Sequence, residues 1–281
     1  MTNLKTAEEK LLRKSEIDID SGITDKILEE LENDAFQNRT LIYALTDNDE
    51  HQRIRLFVPK KFIDQKNYRT LILRWERFED RLPYMHMRAK PEKNVEELLR
   101  LTANVQCGYY VPFVLAQFIG AIPGFRRHDI LIYTTDEGNY EGEIRHDVER
   151  LNPEREYAEQ AIQYMRYTNS IRYVLERLSK FAAFGIRREN KSLKAFCLTH
   201  LETKTHAVIG GAFTHPDYIR KGMQESVTTA LVRYIFSRGM YPVQEIDDYN
   251  KPSRNLATKL GFEHGKINGQ PVTDVVFYPS H

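Results

Sequence analysis

Arg220, Lys221 and Gly222 stand between the small residues Gly210, Gly211 and Ala212 and an apolar-periodic run that begins at Met223. That order suits anion binding. The first turn of a helix leaves backbone N–H groups without intrahelical partners, and the helix dipole adds positive potential at the same end. A glycine allows close approach and neighbouring cations add charge, so a phosphate is the natural guest. One glycine is fewer than such cradles usually carry, and Arg-Lys-Gly before a helix is by itself more often a solvated turn. Glu225, in the first turn, stabilises the dipole but competes with a bound phosphate.

Candidate acids and bases lie nearby in sequence. His206 opens the strand that leads to the loop, and imidazole titrates near neutrality. Glu245 and Asp247 share one face of the strand over 241–247, where either can order a water or meet an amine. Their ordinary alternatives are an exposed hairpin-end histidine and solvated carboxylates at a strand end. His215, before Pro216, serves the turn. The two cysteines, Cys107 and Cys197, are far apart, with no metal-ligand spacing. They read as reduced thiols in a reducing compartment, and no metal is expected.

The elements that must position these groups are clearest after residue 150. Helices are expected at 154–165 and 170–180, and strands at 181–188, 192–201 and 205–213, joined by the polar turns "ENK" and "ETK". A helix is expected over 223–238, with Gly239 at its C-cap, then a strand at 241–247, a helix at 251–260 and a strand at 271–278. Before residue 150 the periodicity predicts helices over 23–35 and 94–103. Strands are predicted at 40–45, 53–58, 70–75, 84–87 and 129–135. The polar, glycine-containing stretch 136–156 reads as the boundary between domains 1–150 and 151–281. The fold class is α/β (α+β), with a mixed, mostly antiparallel sheet in the second half.

The 41 basic and 40 acidic residues leave a net charge of +1. That gives no reason to expect nucleic acid or an anionic membrane as partner. No 18-residue apolar run exists, and the first twenty residues lack a signal-peptide apolar region, so a cytoplasmic protein is expected.

The ordered landmarks "THPDY" (214–218), Gly222, "IDDYN" (246–250) and "KLGF" (259–262) resemble those of the GCN5-related N-acetyltransferase (GNAT) family, over roughly residues 155–281. Within it, "RGMYPVQEIDDYN" (238–250) is similar to the glycine N-acyltransferase-like branch. The resemblance implies a GNAT fold in which the fourth and fifth strands splay to admit acyl-CoA. It implies a cofactor-binding set of Phe213, Thr214, Arg220, Lys221, Gly222, Met223, Gln224, Asn250 and Ser253. It implies acyl transfer to the amine of a small molecule or amino acid by direct attack, with His206, Glu245 and Asp247 as the catalytic candidates. It also offers residues 36–135 as a diverged copy of the same fold, though no motif there marks it, and mitochondria as a second location. Four positions depart from the family pattern. Ile219 and Gln224 alter the loop, Val208 stands where the branch carries a glutamate base, and Ala257 where many relatives carry a tyrosine acid. A non-catalytic protein that binds CoA or a protein partner is the alternative.

Overall fold

A computed structural model describes residues 16–17, 21–33, 35–46, 52–59, 70–77, 84–89, 98, 108–112, 115, 125–164, 170–189, 192–267 and 269–279. The chain forms two compact units: Met1–Ile130 with Val272–His281, and Leu131–Pro271.

The first unit holds β1 (Glu16–Ile17), α1 (Ser21–Glu32), α2 (Ala35–Thr46), β2 (Gln52–Phe57), β3 (Leu71–Arg77), β4 (Tyr84–Arg88) and β5 (Gly108–Val111). The first four strands form antiparallel neighbours in sequence order. β5 then joins β4 in parallel, with Tyr84 opposite Gly108 and His86 opposite Tyr110. The last strand of the chain, Thr273–Pro279, lies antiparallel on the other side of β5, with Val275 opposite Val111. Alternate strand positions (Phe57, Ile72, Met85, Met87, Tyr109, Val111, Val275 and Phe277) form the core.

The strand expected at 40–45 is helical, as part of α2. Leu41, Ile42, Tyr43 and Ala44 are all buried, as are Asn38 and Arg39. A helix covered on most sides has no polar stripe, and a short apolar run within it cannot be told from a buried strand by periodicity. Asn38 Nδ2 donates to the Leu31 carbonyl of α1 at 3.0 Å. Arg39 Nη2 meets Asp274 Oδ2 of the last strand at 2.7 Å, with both side chains 1% exposed, and Tyr110 Oη donates to the same oxygen at 2.8 Å. The helix expected at 94–103 lies outside the described residues apart from Leu98, and so does Cys107.

β6 (Phe125–Thr134) passes from the first unit into the second. The second unit continues with β7 (Glu149–Arg150), α3 (Arg155–Ile162), α4 (Ile171–Lys180), β8 (Ala183–Arg187), β9 (Leu193–Glu202) and β10 (His206–Thr214). After these come α5 (Met223–Ser237), β11 (Tyr241–Asp247), α6 (Lys251–Lys259) and β12 (Glu263–His264). The strand order is β7-β8-β9-β10-β11-β6, with β12 on the far side of β6. Strands β7 to β10 are antiparallel, and β10 and β11 are parallel. One face of this sheet packs on α5 and α6 through Val227, Leu231, Ile235, Ala257 and Leu260. The other packs on α3 and α4 through Tyr157, Ala161, Val174 and Leu178. Ser170 caps α4 by accepting the Tyr173 N–H at 3.0 Å.

The two units therefore repeat one plan: four antiparallel strands, a parallel fifth, and a sixth supplied from elsewhere in the sequence. In the second unit that sixth strand is the end of β6. In the first it is Thr273–Pro279.

The expected boundary at 150/151 does not match these units, which divide at 130/131 and 271/272. The reason is the stretch taken for a linker. It is a strap bonded to the second unit through its backbone and its polar side chains. Thr135 Oγ1 donates to the Gly261 carbonyl at 2.8 Å, and the Glu141 N–H to the Leu260 carbonyl at 3.1 Å. Tyr140 Oη donates to Thr229 Oγ1 at 3.0 Å, and the Arg145 N–H to Ser226 Oγ at 3.0 Å. Polar composition marks a surface segment, not a detached one.

The strap comes so close to Gly261 that a Cβ there would sit 2.0 Å from the Asn139 carbonyl oxygen, and the φ of Gly261 is +80°. Backbone cannot yield as a side-chain tip can. Gly261→Ala is therefore expected to cost about 2 kcal/mol or more, measured by urea unfolding monitored by circular dichroism. A loss below about 0.5 kcal/mol, the usual range of neutral surface changes, would show that the strap does not hold this position.

Candidate functional site

β10 and β11 pair from His206 opposite Tyr241 to Ile209 opposite Gln244, and there the register stops. Beyond that point β10 changes shape. Between Gly210 and Phe213 it takes three residue steps where β9 takes two, from Leu198 to Phe196, and Gly211 has φ +57°. This is a β-bulge, which leaves an extra residue outside the ladder and bends the strand. The bulge thus lies on one side of the gap between the two strands, and Glu245 to Asp247 lie on the other.

The loop after β10 is tightly built. The Asp217 N–H and Arg188 Nη2 both donate to His215 Nδ1, at 3.3 and 3.0 Å. This fixes the turn Pro216–Tyr218, so His215 serves the turn as its position before proline implied. Arg220 has φ +63°, the one non-glycine residue with positive φ among the described residues, and Gly222 comes next but one at +74°, as the N-cap of α5. A left-handed arginine costs free energy and persists only where its surroundings impose it, a condition typical of binding loops. Gly222 carries no side chain to cap the helix. The first N–H groups of α5 are thus left to a ligand or to water.

Four cations surround this loop. Arg220 and Lys221 belong to it. Arg188, Lys221 and Lys194 lie 4.8, 5.0 and 5.6 Å from the centre of the Tyr218 ring. Arg188 and Lys194 were not singled out from the sequence. They flank the β8–β9 hairpin, and only the pairing of β9 with β10 brings them here.

Two residues expected to oppose an anion do not. Gln224 turns inward: its Oε1 accepts from Thr214 Oγ1 at 3.0 Å and its Nε2 donates to the Phe196 carbonyl at 3.3 Å. It ties the end of β10 to α5 and leaves the loop open. The Glu225 side chain is 8% exposed and pairs with Lys259 Nζ at 2.5 Å. Its charge is directed toward α6 and matched there.

The other expected site residues divide. The Phe213 ring is buried and stacked on Tyr164, with centroids 4.6 Å apart, and Met223 lies in the core beneath α5, so both offer the site backbone alone. Asn250 Oδ1 accepts the Ser253 N–H at 3.4 Å and caps α6. Asp247 accepts from Tyr249 Oη at 3.1 Å beside the gap, and Glu245 lies half-buried two residues earlier. His206 is not brought to the gap. It lies at the paired end of the strands, beside Thr205 Oγ1 and Tyr241, roughly 25 Å along the strand from Thr214. Sharing a strand face did not make it a neighbour of the loop. Val208 and Ala257 are buried at 1% and 0% exposure, and neither of these apolar side chains can act as a base or acid.

Among the described residues, no cluster of three or more His, Cys, Asp or Glu side chains is placed to bind a metal ion, and no helix is long and apolar enough to cross a membrane.

The FR47-like protein family model matches residues 183–268. No curated protein matches the chain. Several solved structures do. A Drosophila protein covers 94% of this chain and 98% of its own, at 12% identity and a TM-score of 0.64. A tandem GNAT protein from the clavulanic acid biosynthesis pathway covers 92% and 94%, at 12% identity and 0.62. An acetyltransferase of the GNAT family from Colwellia psychrerythraea covers 95% and 98%, at 14% identity and 0.58. The fold is that of the GNAT proteins. The likeness to a tandem GNAT structure runs the length of the chain, in keeping with the repeated strand plan of the two units.

Within the GNAT-fold second unit, Cys197 is no nucleophile. It is fully buried, and burial pushes its thiol from the usual 9.0 up to about 12, against a smaller opposing effect of the Thr228 hydrogen bond. Below about pH 9 both folded and unfolded thiols stay neutral. Above it the unfolded thiol ionises first, so stability falls as pH rises from about 9 toward about 12. Iodoacetamide at pH 8, with labelled peptides mapped by mass spectrometry, is expected to leave Cys197 unmodified in the native protein and to modify it in urea. Rapid native labelling would contradict this burial.

Proposed function

We propose that the chain is an acyl-CoA-dependent N-acyltransferase, with the second unit as its catalytic unit. The observation that carries this reading is the combination of a parted β10–β11 pair with a left-handed, cation-rich loop at the start of α5. The gap can take a thin, extended chain, and the loop can take the phosphates at its end. Acyl-CoA has both parts. A Cβ added at Gly222 would meet only His146 Nε2, at 3.8 Å, so the cradle has room.

In this reading the N–H groups of Arg220 to Gln224, with Arg220 and Lys221, hold the pyrophosphate. Asn250 and Ser253 flank it from the start of α6. Backbone from Gly211 to Thr214 pairs with the pantetheine arm. An N–H freed by the bulge at Gly211 receives the thioester oxygen as it becomes an oxyanion, the point at which a fixed donor contributes most. The acceptor amine attacks the thioester carbon, a C–N bond forms, and the C–S bond breaks to release the CoA thiolate. Glu245 or Asp247, directly or through one water, takes the proton that the amine loses. With Ala257 in place of a tyrosine, the thiolate takes its proton from solvent. A thiolate is a good leaving group and departs without strong acid help. The first unit is read as a diverged copy of the same fold, and the likeness of 238–250 to the glycine N-acyltransferase-like branch points to an amino acid as acceptor.

A second reading is a GNAT-fold protein that binds CoA, or a protein partner, without turnover. The buried Val208 and Ala257 favour it, since neither position offers a base or an acid.

The test is free-thiol release from acetyl-CoA and longer acyl-CoA esters against a panel of amino acids and small amines, alongside CoA titration by calorimetry. Turnover with one of them is expected, and Asp247→Asn with Glu245→Gln together should lower kcat by about 10²-fold or more, on the order of general-base catalysis. CoA binding without turnover would select the second reading. Neither binding nor turnover would refute both forms of CoA dependence.

A further inference from the structure

The strap 136–148 lies outside the family match, which starts at residue 183. It is nevertheless laid along α5 within the second unit, held by the Tyr140–Thr229 and Arg145–Ser226 bonds. A further bond runs from Arg233 Nη2 to the Gly142 carbonyl at 3.2 Å. Near the end of the strap, His146 Nε2 lies 2.7 Å from the carbonyl oxygen of Lys221.

That contact has a definite chemistry. A carbonyl oxygen carries no proton, so Nε2 must donate one, which selects the Nε2–H tautomer or the imidazolium. The oxygen belongs to the peptide joining Lys221 to Gly222. In a trans peptide the C=O and N–H point in opposite directions. A carbonyl held toward the strap therefore turns the Gly222 N–H away from it. Arg220 stands immediately before this dipeptide with φ +63°, a conformation that needs external support. Lys221 Nζ donates to the Asp217 carbonyl at 2.9 Å and steadies the loop from its other end.

We propose that His146 is a positioning residue of the acyl-CoA site. By holding the Lys221 carbonyl it fixes the direction of the Gly222 N–H and sustains the left-handed backbone at Arg220. The loop then meets a phosphate already shaped to receive it. Preorganisation of this kind raises affinity by removing an ordering cost. The strap is thus part of the site, although it precedes every landmark that the sequence shares with the family. The inference rests on the acyl-CoA reading of the second unit.

Calorimetric titration with CoA tests it on the full chain. His146→Ala is expected to weaken binding about tenfold, the size of one lost hydrogen bond. His146→Gln, whose amide N–H can donate in place of Nε2–H, is expected to stay within about threefold of the unsubstituted protein. With a turnover assay in hand, His146→Ala should raise the KM for acyl-CoA and change kcat by less than about twofold, as expected where only binding preorganisation is lost. His146 is surface-accessible, so both variants should keep the native circular dichroism spectrum. If the unsubstituted protein binds CoA and His146→Ala binds it equally well, the inference fails. It fails also if the glutamine variant is as weak as the alanine variant. If the unsubstituted protein does not bind CoA at all, the acyl-CoA reading fails first, a separate and recognisable result.

Discussion

The second unit is organised by a hydrogen-bond ladder that stops early. β10 and β11 share a parallel register only as far as Ile209 and Gln244. Backbone groups beyond that point must find other partners or remain available. The bulge at Gly211 shifts the register with β9 at nearly the same place, pairing resuming at Phe213 and Thr214, so β10 changes its relation to both neighbours within a few residues. The loop and the helix beyond it depend on this break. The loop with its left-handed Arg220 grows from the end of the parted strand, and α5 starts from that loop. Gln224 and Thr214 join the two sides across the turn.

The first unit shows what the same plan looks like without the bulge, β3 and β4 keeping one register from Leu71–Arg88 to Trp75–Tyr84. There β4 continues past its parallel pairing through Met87 and Arg88, both buried, with no glycine in the strand. Met87 and Arg88 follow the paired stretch of β4 where Gly210 and Gly211 follow that of β10. Two sheets of one strand order thus end in different chemistry, and the difference lies in a few residues at one strand end.

Much of the second unit was legible in the sequence because its elements are strongly patterned. The stripe of Met223, Val227, Leu231 and Ile235, closed by Gly239, marks α5 almost to the residue, and 241–247 is the observed β11. The loop could be located because its landmarks recur in order. Other features depend on contacts that no local pattern encodes. The run at 40–45 is apolar because α2 is covered on most sides, and that composition suits a buried strand equally well. Arg188 and Lys194 reach the loop through strand register, and register cannot be read from isolated turns. His206 looked favourable because it shares a strand with the site, but strand direction places it at the wrong end. The strap misled for the opposite reason. Glycines and charges are the usual marks of a linker, yet here glycine permits close contact with α5 and α6, and polar groups supply the attachment. Gln224 and Glu225 could be named from sequence, but the direction of their side chains, which decides whether they obstruct an anion, could not.

The placement of Thr273–Pro279 bears on the order in which the molecule can form during synthesis. β6 is made before the second unit, so that unit has all its strands once residue 271 has emerged. The first unit, although encoded first, waits for residues made after the second unit. Until then β5 has an open edge, and Arg39 lacks the carboxylate of Asp274 that matches its charge in the core. Domains usually fold in the order in which they leave the ribosome. In this chain the later unit is the one able to close first, and the nascent first unit must be kept from aggregating through that open edge until its last strand arrives.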